Sequence, residues 1–445
     1  MKAVVLAALP DDHGPLKAAS VDLLAELERA GYDEVSLFEL NNAPLAYCQG
    51  EFDCWLKTPG KCRAHDLEQD IVAAVHDADA LVTLGRLTFG GHGHSVKRAI
   101  DRLICLLEPF LEKRAGLTHH VGRYDHLPAW FSVSWAPSAN TLEAETQLDL
   151  TEANALNFFA PRFGSAVLLK GDEPAWSAQI AAALASKKVP GEAIRSRDPL
   201  RSDLLAMAAP DLSALGPTSV RRAAILVGSP KVKGTSASEA MARSLAARLE
   251  AEGVIAEIHF ATEFVHDNVR SRQAAEAIAS EDLFVLVSPL YCDAFPSLTT
   301  QALELIAHAR TLRNQPARFV LLVNCGFPEP EQNRTALRIA RHFAEAGSYA
   351  YGGALPVGGG GVVQPGSELR EPHGPVSHIV KALDIVAPAL ARNQVVPTAA
   401  VEVISESMQP DVAYRLIGNL GWRWTAHKNG LKQSELHARP LDHER

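Results

Sequence analysis

"RAAILVGSPKVKGTSASEAMARSLAARLEAEG", residues 222 to 253, runs from an unbroken apolar stretch through a Gly-Ser-Pro turn into a long segment with apolar residues at helical spacing, closed by glycine. The first part reads as a buried strand and the last as the amphipathic helix that follows it. The joint between them, "GSPKVKGTSAS" at residues 228 to 238, offers an anion such as phosphate several donors. These are backbone N–H groups, the hydroxyls of Ser229, Thr235, Ser236 and Ser238, the charges of Lys231 and Lys233, and a positive helix terminus. A plain helix cap, with glycine and proline making the turn, reads the same way from these residues alone.

Working outward, the alternation continues through "VIAEIHF", "RSRQAAEAIASE", "DLFVLVS", "PSLTTQALELIAHAR", "RFVLLVN", "NRTALRIARHFAEAG" and "SYAYGGALPV". The amino-terminal half repeats the order of parts with different letters. Its strands are "KAVVLAAL", "EVSLFEL", "ALVTLG", "PAWFSVSW" and "GSAVLL". Its helices are "AASVDLLAELERAG", "DLEQDIVAAVHDA", "SVKRAIDRLICLLEPFLEK" and a segment through "EAETQLDLTEANALNFF". Continuous apolar strands alternating with amphipathic helices predict α/β architecture: two doubly wound parallel sheets in tandem, with a C-terminal helical extension. The expected division is a first domain over 1–195, a linker over 196–220, a second domain with its extension over 221–430, and a polar, disordered tail over 431–445.

Bulk properties narrow the function. At 445 residues and 47% hydrophobic content the chain can fill two or three cores. With 43 basic against 52 acidic residues it offers no broad cationic surface, which argues against nucleic acid. No apolar run approaches the roughly 18 residues that span a bilayer, and the apolar start is broken by acids, so no membrane partner and no leader are expected. Six cysteines in so long a chain are no disulfide framework, which predicts a cytoplasmic protein with reduced thiols.

In a doubly wound sheet the ligand sits beyond the carboxyl ends of the strands. Besides the loop at 228–238, two more loops stand there in the second half. "VSPLYCDAFPS", residues 287–297, sets the rigid Pro289 beside Leu290 and the aromatic Tyr291, which suits a flat ligand. "NCGFPEPEQN", residues 324–333, carries Gly326 and Phe327 where backbone must approach closely. In this order the three loops resemble those of the flavodoxin-like NAD(P)H-dependent FMN reductases and their iron-sulfur flavoprotein relatives. The resemblance implies two flavodoxin-like domains. It further implies FMN with its phosphate on Ser229, Lys231, Thr235, Ser236 and Ser238, and its ring against Pro289, Leu290, Tyr291, Gly326 and Phe327.

The first half shares the resemblance most clearly through "ADALVTLGRLTFGGHGHSVKRAIDRL", but its first loop reads "ALPDDHGPLKAAS", with Asp11 and Asp12 where a dianion would go. Like charges near 4 Å cost about 4 kcal/mol at an effective dielectric of 20, unless the aspartates turn outward as solvated turn residues. The second half is therefore expected to bind FMN, and the first not in the usual way. The relatives with clusters use four closely spaced cysteines; here Cys48, Glu51, Cys54 and Cys62 take those places, leaving Cys48, Cys54 and Cys62 an incomplete ligand set. One hard carboxylate matches iron-sulfur chemistry poorly, so neither a metal nor a cluster is expected, and Cys105, Cys292 and Cys325 are expected to stay away from that loop. Cys292, beside Tyr291 in the ring loop, reads either as a thiol facing the flavin or as a core cysteine, the core being favoured.

The resemblance implies an FMN-containing oxidoreductase passing hydride or electrons from NAD(P)H, as a substrate, to a small acceptor such as a quinone, nitro compound or flavin. No catalytic dyad is recognisable, and none is required when the cofactor carries the chemistry. A flavin-binding electron carrier with a protein partner, or a flavin-free scaffold, are the alternatives. Two similar halves allow an intramolecular pseudo-dimer or a homodimer.

Overall fold

The computed structural model describes residues 1–193, 197–213, 216–406 and 411–443. The strands, in chain order, begin with β1 (Lys2–Ala7), β2 (Glu34–Glu39), β3 (Ala80–Thr88) and β4 (Gly91–His92). They continue with β5 (Leu107–Arg114), β6 (Leu117–Gly122), β7 (Ala129–Ala136), β8 (Phe163–Leu169) and β9 (Arg222–Val227). The last are β10 (Ile255–Phe260), β11 (Leu283–Pro289), β12 (Arg318–Asn324) and β13 (Ala350–Val357). Two compact units hold them: Met1–Arg195 with Val412–Arg445, and Ser196–Asp411.

Each unit is built on a parallel sheet, in the order β2-β1-β3-β7-β8 in the first and β10-β9-β11-β12-β13 in the second. Counted along each unit's main sheet both orders are 2-1-3-4-5, the flavodoxin-like doubly wound arrangement, whose switch point lies between the first and third strands. The central strands are apolar throughout because helices cover both faces: Leu283, Phe284, Val285, Leu286 and Val287 of β11 are fully buried, as are Ala80, Leu81, Val82 and Leu84 of β3.

Four expectations are corrected. Residues 95–113 do not make one helix: the helix His94–Arg102 gives way to a short 3-10 turn, and β5 then pairs with β6 in an antiparallel hairpin. Pro109 removes a helical donor, and Ala115 and Gly116, both at positive φ (47° and 81°), make the tight turn. The linker carries a helix, Asp198–Ala208, tied to the second unit by Arg338 to Asp203 (2.9 Å) and by Arg341 and the Tyr351 hydroxyl to the Met207 carbonyl (2.9 and 3.1 Å).

The helix Asp411–Lys428, expected as an extension of the second domain, packs on the first unit. The Asn419 side chain bonds both the N–H and the carbonyl of Leu111 (2.7 and 3.2 Å), and Trp422 meets Trp55 at 5.8 Å between ring centres. The tail beyond 431 is ordered through its described length: it forms 3-10 turns at Gln433–His437 and Pro440–His443 and buries Leu436. The fully buried Arg123 explains why. Its guanidinium donates to the carbonyls of Cys105, Leu107, Leu436 and Ala438 at 2.8–3.1 Å, so the tail completes the acceptors of a charge that would otherwise be stranded.

Candidate functional site

At the carboxyl edge of the second sheet, β9 runs into Gly228, where glycine is required: a Cβ there would stand 2.7 Å from the Ser288 hydroxyl and 3.0 Å from that of Thr299, which donates to the Gly228 carbonyl. Ser229 is buried beside this turn, and the Lys231 N–H lies 3.4 Å from its hydroxyl. Ser236 caps the helix Ala237–Ala251 by accepting from the Glu239 N–H at 3.1 Å. The buried Glu239 reaches back to accept the Gly234 N–H, and Arg243 holds its carboxylate at 2.7 and 3.0 Å. This loop therefore already carries an anion on its backbone, supplied by the chain.

Of the expected phosphate contacts, Ser229 and Ser236 are buried in this turn and Lys231 lies half-buried on it. Thr235 is exposed, and its N–H and hydroxyl both go to the Val232 carbonyl (3.1 and 2.6 Å). Ser238 departs from the expectation: in the first turn it faces the sheet, fully buried, and its hydroxyl accepts from the Asn324 amide at 2.9 Å. Lys233 is drawn aside, its ammonium 4.0 Å from the centre of the Phe260 ring.

The second loop turns sharply. Tyr291 and Ala294 exchange backbone hydrogen bonds (2.9 and 3.1 Å), leaving Cys292 and Asp293 at positive φ (42° and 62°) as the two central residues of a hairpin-like turn. That geometry is costly for Cys292 and milder for Asp293, whose residue type visits it more readily, and the Thr335 hydroxyl, donating to the Asp293 carbonyl, braces it. Pro289, Leu290, Tyr291 and Cys292 lie half-buried on the rim, so Cys292 is no core residue. In the third loop Gly326 is exposed, a Cβ there would touch nothing within 4 Å, and Phe327 is half-buried beside it. Cys325 below is buried, and burial pushes its thiol up to about 12, which keeps it protonated.

Asn324 joins all three loops and was not picked out from the sequence. Its amide donates to the Ser288 carbonyl (3.0 Å) as well as to Ser238, and its own carbonyl accepts from the Leu290 N–H (2.8 Å). The signal was present, since Asn324 is the one polar residue ending the apolar run "FVLLVN". The glycine run at 358–361 adjoins the same residue. Gly360 donates to the Cys325 carbonyl at 2.8 Å, and a Cβ on it would meet the Asn324 side chain at 2.6 Å.

The first unit's carboxyl edge is built differently. Asp11 and Asp12 turn outward and are exposed. What closes the helix Gly14–Arg29 is His13, whose Nδ1 accepts the Leu16 N–H at 3.2 Å while its ring meets Trp135 edge-on at 4.5 Å. Burial, then the nearby Arg86, holds the His13 pKa below its ordinary value, so the imidazole stays neutral and able to accept.

The cysteine loop is pinned by Trp55, fully buried, whose indole N–H donates to the carbonyls of Ile104 and Leu107 (3.2 and 2.9 Å). This draws in Cys105, contrary to expectation. Its thiol donates to Glu68 at 3.2 Å, and Glu68 pairs with Arg102 at 3.5 Å. Burial first, then neighbouring thiols and carboxylates, pushes Cys54 and Cys105 well above the ordinary thiol range, and burial followed by Asp101 raises Cys48 to about 12. Such thiols are protonated and poor nucleophiles at neutral pH. Glu51 points elsewhere, to Arg63 at 3.2 Å. Among the described residues no group of three or more His, Cys, Asp or Glu is arranged to hold a metal ion.

No family model matches the chain, and no curated protein matches it. Among solved structures, the NAD(P)H:quinone oxidoreductase from Methanothermobacter marburgensis is 15% identical, over 39% of this chain and 96% of that one, with a TM-score of 0.28. The FMN-dependent NADH-azoreductase from Bacillus anthracis str. Ames Ancestor, in complex with FMN, is 11% identical, over 38% of this chain and 100% of that one, with a TM-score of 0.28.

Proposed function

We propose that the second unit binds FMN at the carboxyl edge of β9, β11 and β12 and that the protein is an NAD(P)H-dependent oxidoreductase acting on a small acceptor such as a quinone, nitro compound or flavin. The observation that carries this reading is the first loop, where a carboxylate accepts the Gly234 N–H beside the buried hydroxyls of Ser229 and Ser236. The donor set thus fits a phosphate, once Glu239 gives up its place. The open backbone at Gly326 and the rim of Pro289, Leu290, Tyr291 and Phe327 suit the flat ring, and Asn324 fixes both loops relative to the phosphate turn.

FMN, if bound there, would supply the hydride chemistry. The chain's own residues bind and orient. Ser229, Ser236 and Lys231 would hold the phosphate end, Tyr291 would cover the ring, and the braced turn at Cys292 and Asp293 would set the edge open to the acceptor. The Cys325 thiol, protonated and buried, takes no part. All six cysteines are free thiols, which supports a reducing, cytoplasmic setting. Among the described residues no helix is long and apolar enough to cross a membrane.

The test is a titration of the purified chain with FMN, read by flavin fluorescence, followed by NADH or NADPH oxidation with a soluble quinone. Binding with turnover is expected. Binding without turnover would move the protein to the electron-carrier reading, and no binding would leave the scaffold.

A further inference from the structure

The helix Asp411–Lys428 presents two apolar faces, only one of which is covered by the described residues of the first unit. Its inner face, with Gly418 against Leu111, Asn419 and Trp422, is seated on the first unit. Its outer face shows Val412 at 59% exposure, Leu416, Ile417 and Leu420 at 62%, and Trp424 at 61%. Val412, Leu416, Leu420 and Trp424 are spaced by four, so they form one continuous ridge along the helix. Gly421 lies in the same face, exposed, and a Cβ there would touch nothing within 4 Å, which leaves a notch beside Ile417 and Trp424.

We propose that this face is where a second copy of the chain docks, the two helices lying antiparallel across a two-fold axis. The ridge shows roughly 500 Å² of apolar surface, at the upper end of what a monomer leaves uncovered. Doubled across a two-fold, it removes on the order of 1,000 Å², the lower bound of a specific interface, before any flanking residue is counted. The order of sizes along the ridge selects the antiparallel arrangement. Trp424, the largest side chain, then falls beside Val412, the smallest, and Leu416 beside Leu420, whereas a parallel pair would set Trp424 against Trp424 and leave a gap at Val412. Antiparallel helices also place opposite dipole ends together. The two-fold makes one patch serve both copies. This inference stands apart from the flavin reading, since no residue of the loops at β9, β11 or β12 takes part.

Sedimentation velocity of the full chain at tens of micromolar, flavin present or absent, tests it. Twice the chain mass is expected. Leu416→Glu with Leu420→Glu should sediment at the single-chain mass with unchanged far-UV circular dichroism, the dissociation constant rising at least about a hundredfold. A wild-type chain of single mass, or a double variant still at twice the mass, would overturn the proposal. Should that variant fail to fold, Leu416→Cys and Leu420→Cys chains are purified separately, mixed and oxidised with a copper catalyst. The mixed cross-link is expected to form faster than either like pair, and a like pair forming faster would overturn the antiparallel arrangement.

Discussion

The two carboxyl edges stand on sheets of one strand order, yet they treat the first helix terminus in opposite ways. In the second unit the turn is Gly-Ser-Pro, the cap is Ser236, and a side-chain carboxylate reaches the backbone N–H of Gly234. In the first, His13 folds its own imidazole onto the terminus and packs against Trp135. A hydroxyl cap leaves room and donors for an anion, whereas an imidazole cap fills that space with an aromatic ring. The same topology thus carries one edge whose backbone donor holds a side-chain carboxylate and one filled by an aromatic ring, and the difference lies in a few residues after the first strand.

The largest effect expected from this contrast is in acid. Burial holds His92 down to about 3 and His120 down to about 4, both in the first unit. Between those values and the ordinary 6.5 the unfolded chain binds more protons than the folded one. The stability these groups support is therefore complete above pH 6.5 and falls as the pH drops through that range, by on the order of 2 kcal/mol each near pH 4.5. All six tryptophans, at 55, 130, 135, 176, 422 and 424, belong to the first unit, so intrinsic tryptophan fluorescence follows it alone. An acid transition in that signal is expected to start below pH 6.5 and to shift downward in His92→Gln with His120→Gln. A transition that ignores both substitutions would remove the histidines as its cause.

In the second unit, Asn324→Ala should be next in size. It strips the Ser288 carbonyl and the Ser238 hydroxyl of a buried partner, a loss of about 2 to 4 kcal/mol of stability at 1 to 2 per bond. It should also weaken FMN in a fluorescence titration, and intact FMN affinity would show that the loops are set without it. The smallest effect is at Glu239. Glu239→Gln keeps a helix-capping group but removes the charge competing for Gly234, so FMN should bind about tenfold tighter, near 1.4 kcal/mol, while riboflavin, which lacks the phosphate, should be unchanged. Equal FMN affinity would mean that Glu239 only caps the helix.

Much of the fold was legible because buried parallel strands are written as apolar runs, and β1, β3, β9, β11 and β12 all fall on such runs. What was not legible depends on partners outside the segment concerned. The segment "LLEPFLEK" has helical spacing, and Pro109, the turn at Ala115 and Gly116 and the pairing with β6 make it a strand. The polar tail reads as disorder, since nothing local announces that Arg123, more than 300 residues earlier, needs the carbonyls of Leu436 and Ala438. Cys105 joins the cysteine loop only because Trp55 bonds the backbone on either side of it. At the site, the glycine and serines of the first loop were legible, while Glu239 and the Asn324 partner of Ser238 were not, because these contacts are set by how the helix faces the sheet.

The return of residues 412–443 to the first unit also fixes an order of completion during synthesis. When the first 195 residues have emerged, the seat for Trp422 beside Phe52 and Trp55 is empty, and Arg123 lacks two of its four acceptors. Roughly 200 residues must be added before they arrive, a delay on the order of 10 to 40 s at about 5 to 20 residues per second. The second unit, uninterrupted in sequence, can mature on the ribosome in that interval. Whatever attends the nascent chain must therefore shelter its amino-terminal half longer than its middle, and a stalled or clipped product would carry a finished second unit beside an unfinished first.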